Sequence, residues 1–401
     1  MQLTADQHLL KDLNRMAIVR QLSAWPGQSR AGLAESLQLT KSTVSALTRE
    51  LIAEGWLQER EVVATGELGR RPTPLFVDPG RLVLLGAEVG VDGVNVVATS
   101  LTGDVLARAR SPLDARRDAH LALVRAAKLL LQLHARLDTP AQRVIGIGIG
   151  LPGGVDEARG HLHFAHNLGW RDLPVGRLLA EHLRTTALQG VPLFVQNDAD
   201  MAVMGELEFS TSSEKTPDPL IYLSLGEGVG AGIVVEDRLL TGAHGLAGEV
   251  GHTTLDIDGP RCSCGRRGCA EALIGFRAML PEVDASCGLA EVQRQLHARM
   301  PGSTEAVAQA GRYLGMLLAN LCAAYDPGRI VLGGAAVELG APFLHAAFQT
   351  LEGFAAAANV ATPTVTLTRF GNDAVPVGAA ALVRYRLTRP LIAARRLAAA
   401  A

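Results

Sequence analysis

Residues 221–240 read IYLSLGEGVGAGIVVEDRLL: an apolar run, a glycine turn, then a second apolar run. Apolar segments of this length bounded by glycine read as strands joined by a tight turn. The same theme stands about 139 residues earlier, where LVLLGAEVG (82–90) is followed by GVNVVAT (93–99). A third strand near DVLARA (104–109) extends that pair into a meander. A long helix over about 119–137, a buried strand RVIGIGIG (143–150), another helix and the strand PLFVQ (192–196) follow. Strands alternating with helices indicate an α/β fold. Two such units suggest a duplicated fold with a cleft between two lobes. Two unrelated glycine hairpins would leave the same trace, and the pattern alone keeps both readings open.

The chain has 401 residues, enough for two or three domains. Hydrophobic residues make up 48% but aromatics only 4%, so the cores must lean on Ala, Val and Leu. A net charge of −2 gives no bulk electrostatic sign of a nucleic-acid or membrane binder. The opening MQLTADQHLL lacks the charged and then apolar regions of a signal peptide. No apolar run reaches the roughly 18 residues of a membrane span. The expectation is a cytoplasmic protein with no membrane partner.

The first 80 residues differ in style. Leu10, Leu13, Met16, Ile18 and Leu22 have helical spacing, and Pro26-Gly27 breaks the pattern. Ser29 then caps a short helix through Leu37, Gln38-Leu39 turn, and Thr40 caps a second helix from Lys41 to about Glu54, ended by Gly55. Two helices joined by so short a turn form a helix-turn-helix, for which an ordinary αα-hairpin is the plainer alternative. Leu33, Ala34, Leu37, Val44, Leu47 and Leu51 would face its core. Residues 56–78 read as a β-hairpin, a wing, with Gly69-Arg70-Arg71-Pro72 as its basic tip. Nine basic residues balance nine acidic ones here, so DNA affinity must come from placement. Lys41, Ser42, Thr43, Ser45 and Ala46 would read bases in the major groove. Lys41 and Arg49 lie on the exposed face of the second helix, Arg30 starts the first, and Arg70 and Arg71 suit the minor groove.

Three cysteines stand in nine residues, RCSCGRRGC (261–269), in a chain with only five. In a reducing compartment such a cluster is metal-binding or catalytic more often than disulfide-bonded. With His252 the spacing is H-x9-C-x-C-x4-C, and His252, Cys262, Cys264 and Cys269 would form a closed Cys3His zinc site. Gly265 and Gly268 let a tight loop turn the sulfurs toward one ion, and closure leaves no position for a reacting water. Three buried free thiols are the alternative. Cys287 and Cys322 read as inert core residues.

The wider stretch, GEVGH (248–252) followed by CSCGRRGCAE (262–271), resembles the signature of the repressor–ORF–kinase (ROK) family. The likeness runs from about residue 81 and includes NDAD (197–200) and DPGRIVLGG (326–334). The N-terminal helix-turn-helix and wing resemble the family's repressor branch, which includes xylose and N-acetylglucosamine regulators. The resemblance implies a two-lobed actin-like, sugar-kinase-like (ribonuclease H-like) fold behind a winged helix-turn-helix. It implies that the zinc ligand His252 also contacts sugar, and that Gly153, Asn197, Asp198, Glu249 and Glu271 line the same pocket. An imidazole can do both, because a metal on one nitrogen fixes where the other points. Taken singly, an Asn-Asp after a strand is usually a helix cap and Glu249 a solvated acid. The expected organisation is residues 1–80 for DNA, 81–198 for the first lobe with a last helix over 384–401 packing back on it, and 199–383 for the second lobe.

Kinases of the family need two glycine turns against ATP phosphates, resembling D-x-G-G-T and G-T-G-x-G. Here they read Glu88-Val89-Gly90-Val91-Asp92 and Gly226-Glu227-Gly228-Val229-Gly230. Val91, Asp92 and Glu227 stand where glycine and hydroxyls belong. A carboxylate about 4 Å from a phosphate charge opposes it by about 4 kcal/mol at an effective dielectric of 20. Asp198, the base of a kinase, remains as a vestige. LGGAA (332–336) is either a relic of an adenosine site or plain close packing. In HLHFAH (161–166), His161 and His163 alternate on a strand and would face solvent, and the five arginines of 384–396 would form the polar face of a last helix. The expectation is a sugar-released repressor with zinc, operator DNA and a sugar effector, assembled as a homodimer or homotetramer. A sugar kinase carrying a DNA-binding domain, and a metal sensor, are the competing readings. The altered turns oppose the first, and the closed Cys3His set opposes the second.

Overall fold

The N-terminal helices form where capping groups stand. In α1 (Gln7–Ala24), α2 (Arg30–Ser36) and α3 (Lys41–Glu54), the Ser29 hydroxyl accepts from the Gly32 N–H and the Thr40 hydroxyl from the Thr43 N–H. Each cap is worth about 1 kcal/mol. Gly55, at φ 88, ends α3. Ile18, Leu22, Leu33, Val44 and Leu51 are fully buried, Leu37 is half-buried against them, and Leu10 is exposed. Strands β1 (Leu57–Glu59) and β2 (Leu75–Val77) pair antiparallel as the stem of the hairpin. The computed structural model describes residues 7–61, 73–113, 118–137, 142–210, 217–280 and 288–390, so the tip with Arg70 and Arg71 lies outside the described residues.

The duplication is written in the topology. One sheet contains β3 (Leu82–Val89), β4 (Gly93–Ser100) and β5 (Val105–Pro112), then, after α4 (Ala119–Ala135), β6 (Arg143–Leu151). A small sheet, β7 (Gly154–Asp156), β8 (His161–Ala165) and β9 (Trp170–Leu173), and then α5 (Val175–Leu183), precede its last strand β10 (Leu193–Asn197). Next come α6 (Asp198–Glu208) and the second large sheet's β11 (Leu220–Leu225), β12 (Val229–Val235) and β13 (Arg238–Leu239). The short α7 (Ala270–Ile274), α8 (Phe276–Met279) and α9 (Leu289–His297) lead to the long α10 (Ser303–Tyr325). The chain finishes with β14 (Arg329–Gly333), α11 (Ala341–Ala358), β15 (Thr364–Leu367) and α12 (Ala374–Thr388). The sheet orders are β10-β6-β3-β4-β5 and β15-β14-β11-β12-β13. In both, the first three strands pair antiparallel and the last two join parallel. The fold is therefore the two-lobed actin-like one, and the hairpins of residues 82–100 and 220–235 are equivalent.

Helices α6 and α12 pack on each other between the two sheets. Glycines make this approach possible. A Cβ on Gly86 would lie 1.9 Å from the Pro376 carbonyl oxygen, and one on Gly378 would lie 1.8 Å from that of Met201. Gly378→Ala should accordingly lower stability by about 1–3 kcal/mol, the cost of overpacking a core that cannot yield. Chemical denaturation would show it, and an unchanged midpoint would mean the two helices are free to separate.

The last helix differs from the expectation. Instead of 384–401 it spans Ala374–Thr388, with residues 391–401 outside the described residues. Arg384 and Arg386 do not form a polar outer face. They are buried, 7% and 4% exposed, and paired with Glu208 and Glu157. The small residues of AVPVGAAAL bring the helix against the first sheet, and buried guanidinium groups must then find carboxylates. Among the described residues no helix is long and apolar enough to cross a membrane.

Candidate functional site

The loop after β13 rises over β12. Gly248, at φ 92, and Gly251 lie so close to that strand that a Cβ would meet the carbonyls of Ala231 and Val229 at 2.1 and 1.9 Å. This places a short 3-10 turn, Val250–His252, and the knuckle of 262–269 side by side. In the knuckle the Cys262 N–H donates to the Arg266 carbonyl at 2.8 Å, and Gly265 and Gly268 take φ 91 and 65. Cys269 is the N-cap residue of α7.

The donor atoms of His252, Cys262, Cys264 and Cys269 all lie within 4.8 Å of one another. Cys264 Sγ is 3.7 Å from Cys269 Sγ, and Cys262 Sγ is 3.6 Å from His252 Nδ1. A tetrahedral ion about 2.3 Å from each sulfur requires sulfur–sulfur edges of about 3.8 Å. The spacing thus fits an ion of zinc's dimensions. The chemistry fits as well. Burial pushes the Cys269 thiol up to about 12 and raises that of Cys262, so these two thiolates form readily only beside a cation, whereas at Cys264 burial is outweighed by the bonds from Arg266 and the thiol goes down. The four residues can hold a metal ion.

The other side of His252 is lined by acidic and imidazole side chains. Its Nε2 is 3.8 Å from Glu249 Oε2, and its ring centroid is 6.0 Å from that of His166. Glu271, in the first turn of α7, accepts from the Ser263 hydroxyl at 2.9 Å and from the Val229 N–H at 3.4 Å. Burial, then the Glu271 charge, raises Glu249 above the usual carboxylate range. Burial, and to a lesser degree the Glu249 charge, pushes Asp198 up to about 7. Burial with the Asp198 charge also takes Glu88 to about 7, against the Asn95 amide that donates to it at 2.7 Å. Carboxylates whose charges act on one another in this way suit a ligand rich in hydroxyl donors.

Asn197 holds the pocket's framework. Its oxygen accepts from the Ala199 and Asp200 N–H groups, capping α6, and its amide donates to the Gly153 carbonyl at 3.0 Å. Its side chain thus ties the start of α6 to the backbone of Gly153. His166 and Asn167 were not among the expected pocket residues. His163 is exposed and His161 bonds Asp172 at 2.8 Å, but the chain turns after β8 and brings His166 to His252. Asn167 Nδ2 and Glu271 Oε2 would each lie 3.0 Å from a Cβ on Gly228. The end of strand alternation at Ala165 was the available signal.

The two glycine turns stand at equivalent strand junctions. Glu227 and Asp92 are exposed at their tips, and Val91 is half-buried. Gly333 and Gly334 are in close packing, since their Cβ atoms would meet the Tyr222 hydroxyl at 1.8 Å and the Leu225 carbonyl at 2.3 Å. On α3, Lys41, Ser42, Ala46 and Arg49 are exposed, while Thr43 and Ser45 are half-buried. Arg30 is tied inward, to Glu59 at 2.6 Å and the Thr48 hydroxyl at 3.2 Å, so it braces β1 against the helices.

The ROK family model matches residues 84–386. The xylose repressor of Caldicellulosiruptor bescii is 28% identical over 392 residues, covering 94% of this chain and 96% of that protein. A solved ROK family transcriptional regulator, described as a homologue of the E. coli MLC protein, superposes with a TM-score of 0.76 at 24% identity. It covers 97% of this chain and 99% of its own. The ROK hexokinase from Thermus thermophilus superposes with a TM-score of 0.61 at 30% identity, covering 78% of this chain and 99% of its own.

Proposed function

We propose that this chain, which belongs to the ROK family, is a sugar-responsive DNA-binding transcriptional repressor of carbohydrate-utilisation genes, released from its operator by a neutral sugar. The observation that carries this reading is the union of a helix-turn-helix unit with a pocket of carboxylates whose phosphate turns carry further acids. The likeness to the xylose repressor extends over 94% of the chain, whereas the hexokinase covers 78% of it. In this reading residues 1–80 bind DNA, and 81–198 and 199–383 are the two lobes. The protein acts in the cytoplasm as a homodimer or homotetramer, because two half-sites need two reading helices.

Zinc is the ion proposed for His252, Cys262, Cys264 and Cys269. With all four positions taken by protein it orients the loop and does no chemistry. Gly153, Asn197, Asp198, Glu249, His252 and Glu271, joined by His166, receive the sugar. A phosphate ester on it would meet Asp198, Glu249 and Glu271. Arg261, Arg266 and Arg267 in the neighbouring knuckle are all exposed. Lys41, Ser42, Thr43, Ser45, Ala46 and Arg49 contact DNA, and Arg70 and Arg71 reach the minor groove. Val91, Asp92 and Glu227 argue that the protein is not a kinase.

The test uses the full chain and genomic DNA fragments selected for binding to it. D-xylose, D-glucose, N-acetylglucosamine and their phosphate esters are added in turn, and DNA affinity is read by fluorescence anisotropy. One neutral sugar should weaken binding about tenfold or more, its ester should not, and no ADP should form from ATP. Steady ATP turnover with the same sugar would move the kinase reading to first place.

A further inference from the structure

The end of α12 and the residue after it, Arg384–Arg389, make side-chain bonds to the β7–β8 turn, to α6, to the β12–β13 turn and, through Thr388, to α1. Arg386 forks onto Glu157 of the β7–β8 turn, with both bonds at 2.6 Å. Glu157 in turn accepts from the Gln196 amide at 3.3 Å, and Gln196 accepts from the N–H of Asn197 at the pocket wall. Arg384 donates to Glu208, the last residue of α6, at 2.8 Å and to the Leu101 carbonyl at 2.8 Å. Helix α6 itself starts at Asp198, so one rigid rod of about 16 Å joins the pocket to this turn. Arg389 donates to Glu208 at 2.7 Å and forks onto Asp237 of the second lobe at 2.8 and 3.0 Å. Tyr385 adds a bond from its hydroxyl to the Asp237 carbonyl. On the remaining side, Arg20 of α1 donates to the Thr388 carbonyl. Helix α1 is tied to the DNA-reading α3 by Lys11–Glu50 at 2.9 Å and by Arg15–Glu54.

These contacts are unequal. The side chains of Arg386 and Glu157 are 3% and 6% exposed, and those of Arg384 and Glu208 are 9% and 6%. Breaking either pair would strand a buried charge. Asp237 is 57% exposed, so water can replace Arg389 there. Of the ion pairs made by this turn, Arg389–Asp237 is therefore the one that a shift of the β12–β13 turn can exchange most readily. Arg20 would follow, since it shares its surroundings with Arg389, Asp237 and Glu208.

We propose that the turn Arg384–Arg389 is the joint through which closure of the lobes on a ligand reaches the DNA-reading helix, and that Arg389–Asp237 is the contact it exchanges. Arg389, Asp237 and Glu157 are positioning residues here, remote from the ligand and from DNA. The inference rests on the repressor reading. It places the coupling in a buried arginine cluster at the root of the DNA-binding unit, rather than in the pocket or the zinc loop.

The experiment measures the coupling factor, the ratio of DNA dissociation constants with and without saturating sugar, for the full chain. D-xylose and N-acetylglucosamine are the probes, and the DNA is that selected by the wild type. The wild type should show about tenfold or more. Asp237→Asn and Arg389→Lys should each fold and bind sugar and DNA, yet show a factor below about twofold, and Asp237→Glu should recover part of it. An Asp237→Asn variant with the wild-type factor sinks the joint alone. A wild type that neither sugar shifts on DNA sinks the repressor reading, and the joint with it.

Discussion

Cys264→Ser should strip the metal from the purified chain and weaken sugar binding about a hundredfold. The wild type should carry one zinc per chain by elemental analysis, and the variant almost none. Cys264 Sγ lies 3.7 Å from Cys269 Sγ, while Cys262 Sγ faces His252 Nδ1 at 3.6 Å. Removing one ligand leaves thiols that burial keeps protonated, and the remaining three donors hold the ion poorly. His252 then loses the partner that fixes its ring, and Nε2 no longer stands opposite Glu249. Ligand-orienting groups around metals typically govern 10–100-fold effects. Here the loop also carries Glu249 and Glu271, so the upper end is expected. Cys322→Ser, outside the cluster, serves as the control and should change neither property. Full sugar affinity in a zinc-free variant would separate the metal from the pocket and refute the arrangement.

Asp198→Asn should lower sugar affinity by about a hundredfold at pH 8 and flatten its rise with pH. A carboxylate that accepts from two sugar hydroxyls makes charge-assisted bonds, about twice as strong as neutral ones. With its pKa pushed up to about 7, Asp198 is ionised at pH 8 and largely protonated at pH 6. Wild-type affinity should therefore rise across that interval, as isothermal titration at several pH values would show. Stability should run the opposite way. A folded pKa raised from an ordinary 3.8 means that the stabilising, protonated form is complete below about pH 4 and lost as pH rises through about 7. The Asn variant should thus melt higher than the wild type at pH 8, with the gap closing toward pH 4. Glu88→Gln, on the neighbouring β3, should show the same stability pattern. Sugar affinity independent of pH in the wild type would remove Asp198 from the ligand.

What the sequence determined on its own was local. The caps Ser29 and Thr40, the stop at Gly55, the glycine hairpins and the spacing of His252, Cys262, Cys264 and Cys269 are all read within about 20 residues. Turn angles, capping and ligand spacing are short-range demands that leave marks on neighbouring residues. The bonds of Arg384 to Glu208 and of Arg386 to Glu157 cross 176 and 229 residues, and the approach of His166 to His252 joins two lobes. Nothing beside Arg384 or Arg386 in the chain names a carboxylate partner, so the stretch read as a solvated helix face. The tertiary structure decided otherwise because small residues drew α12 in between the two sheets. Once there, each guanidinium had to be satisfied by whichever acid the fold brought within reach.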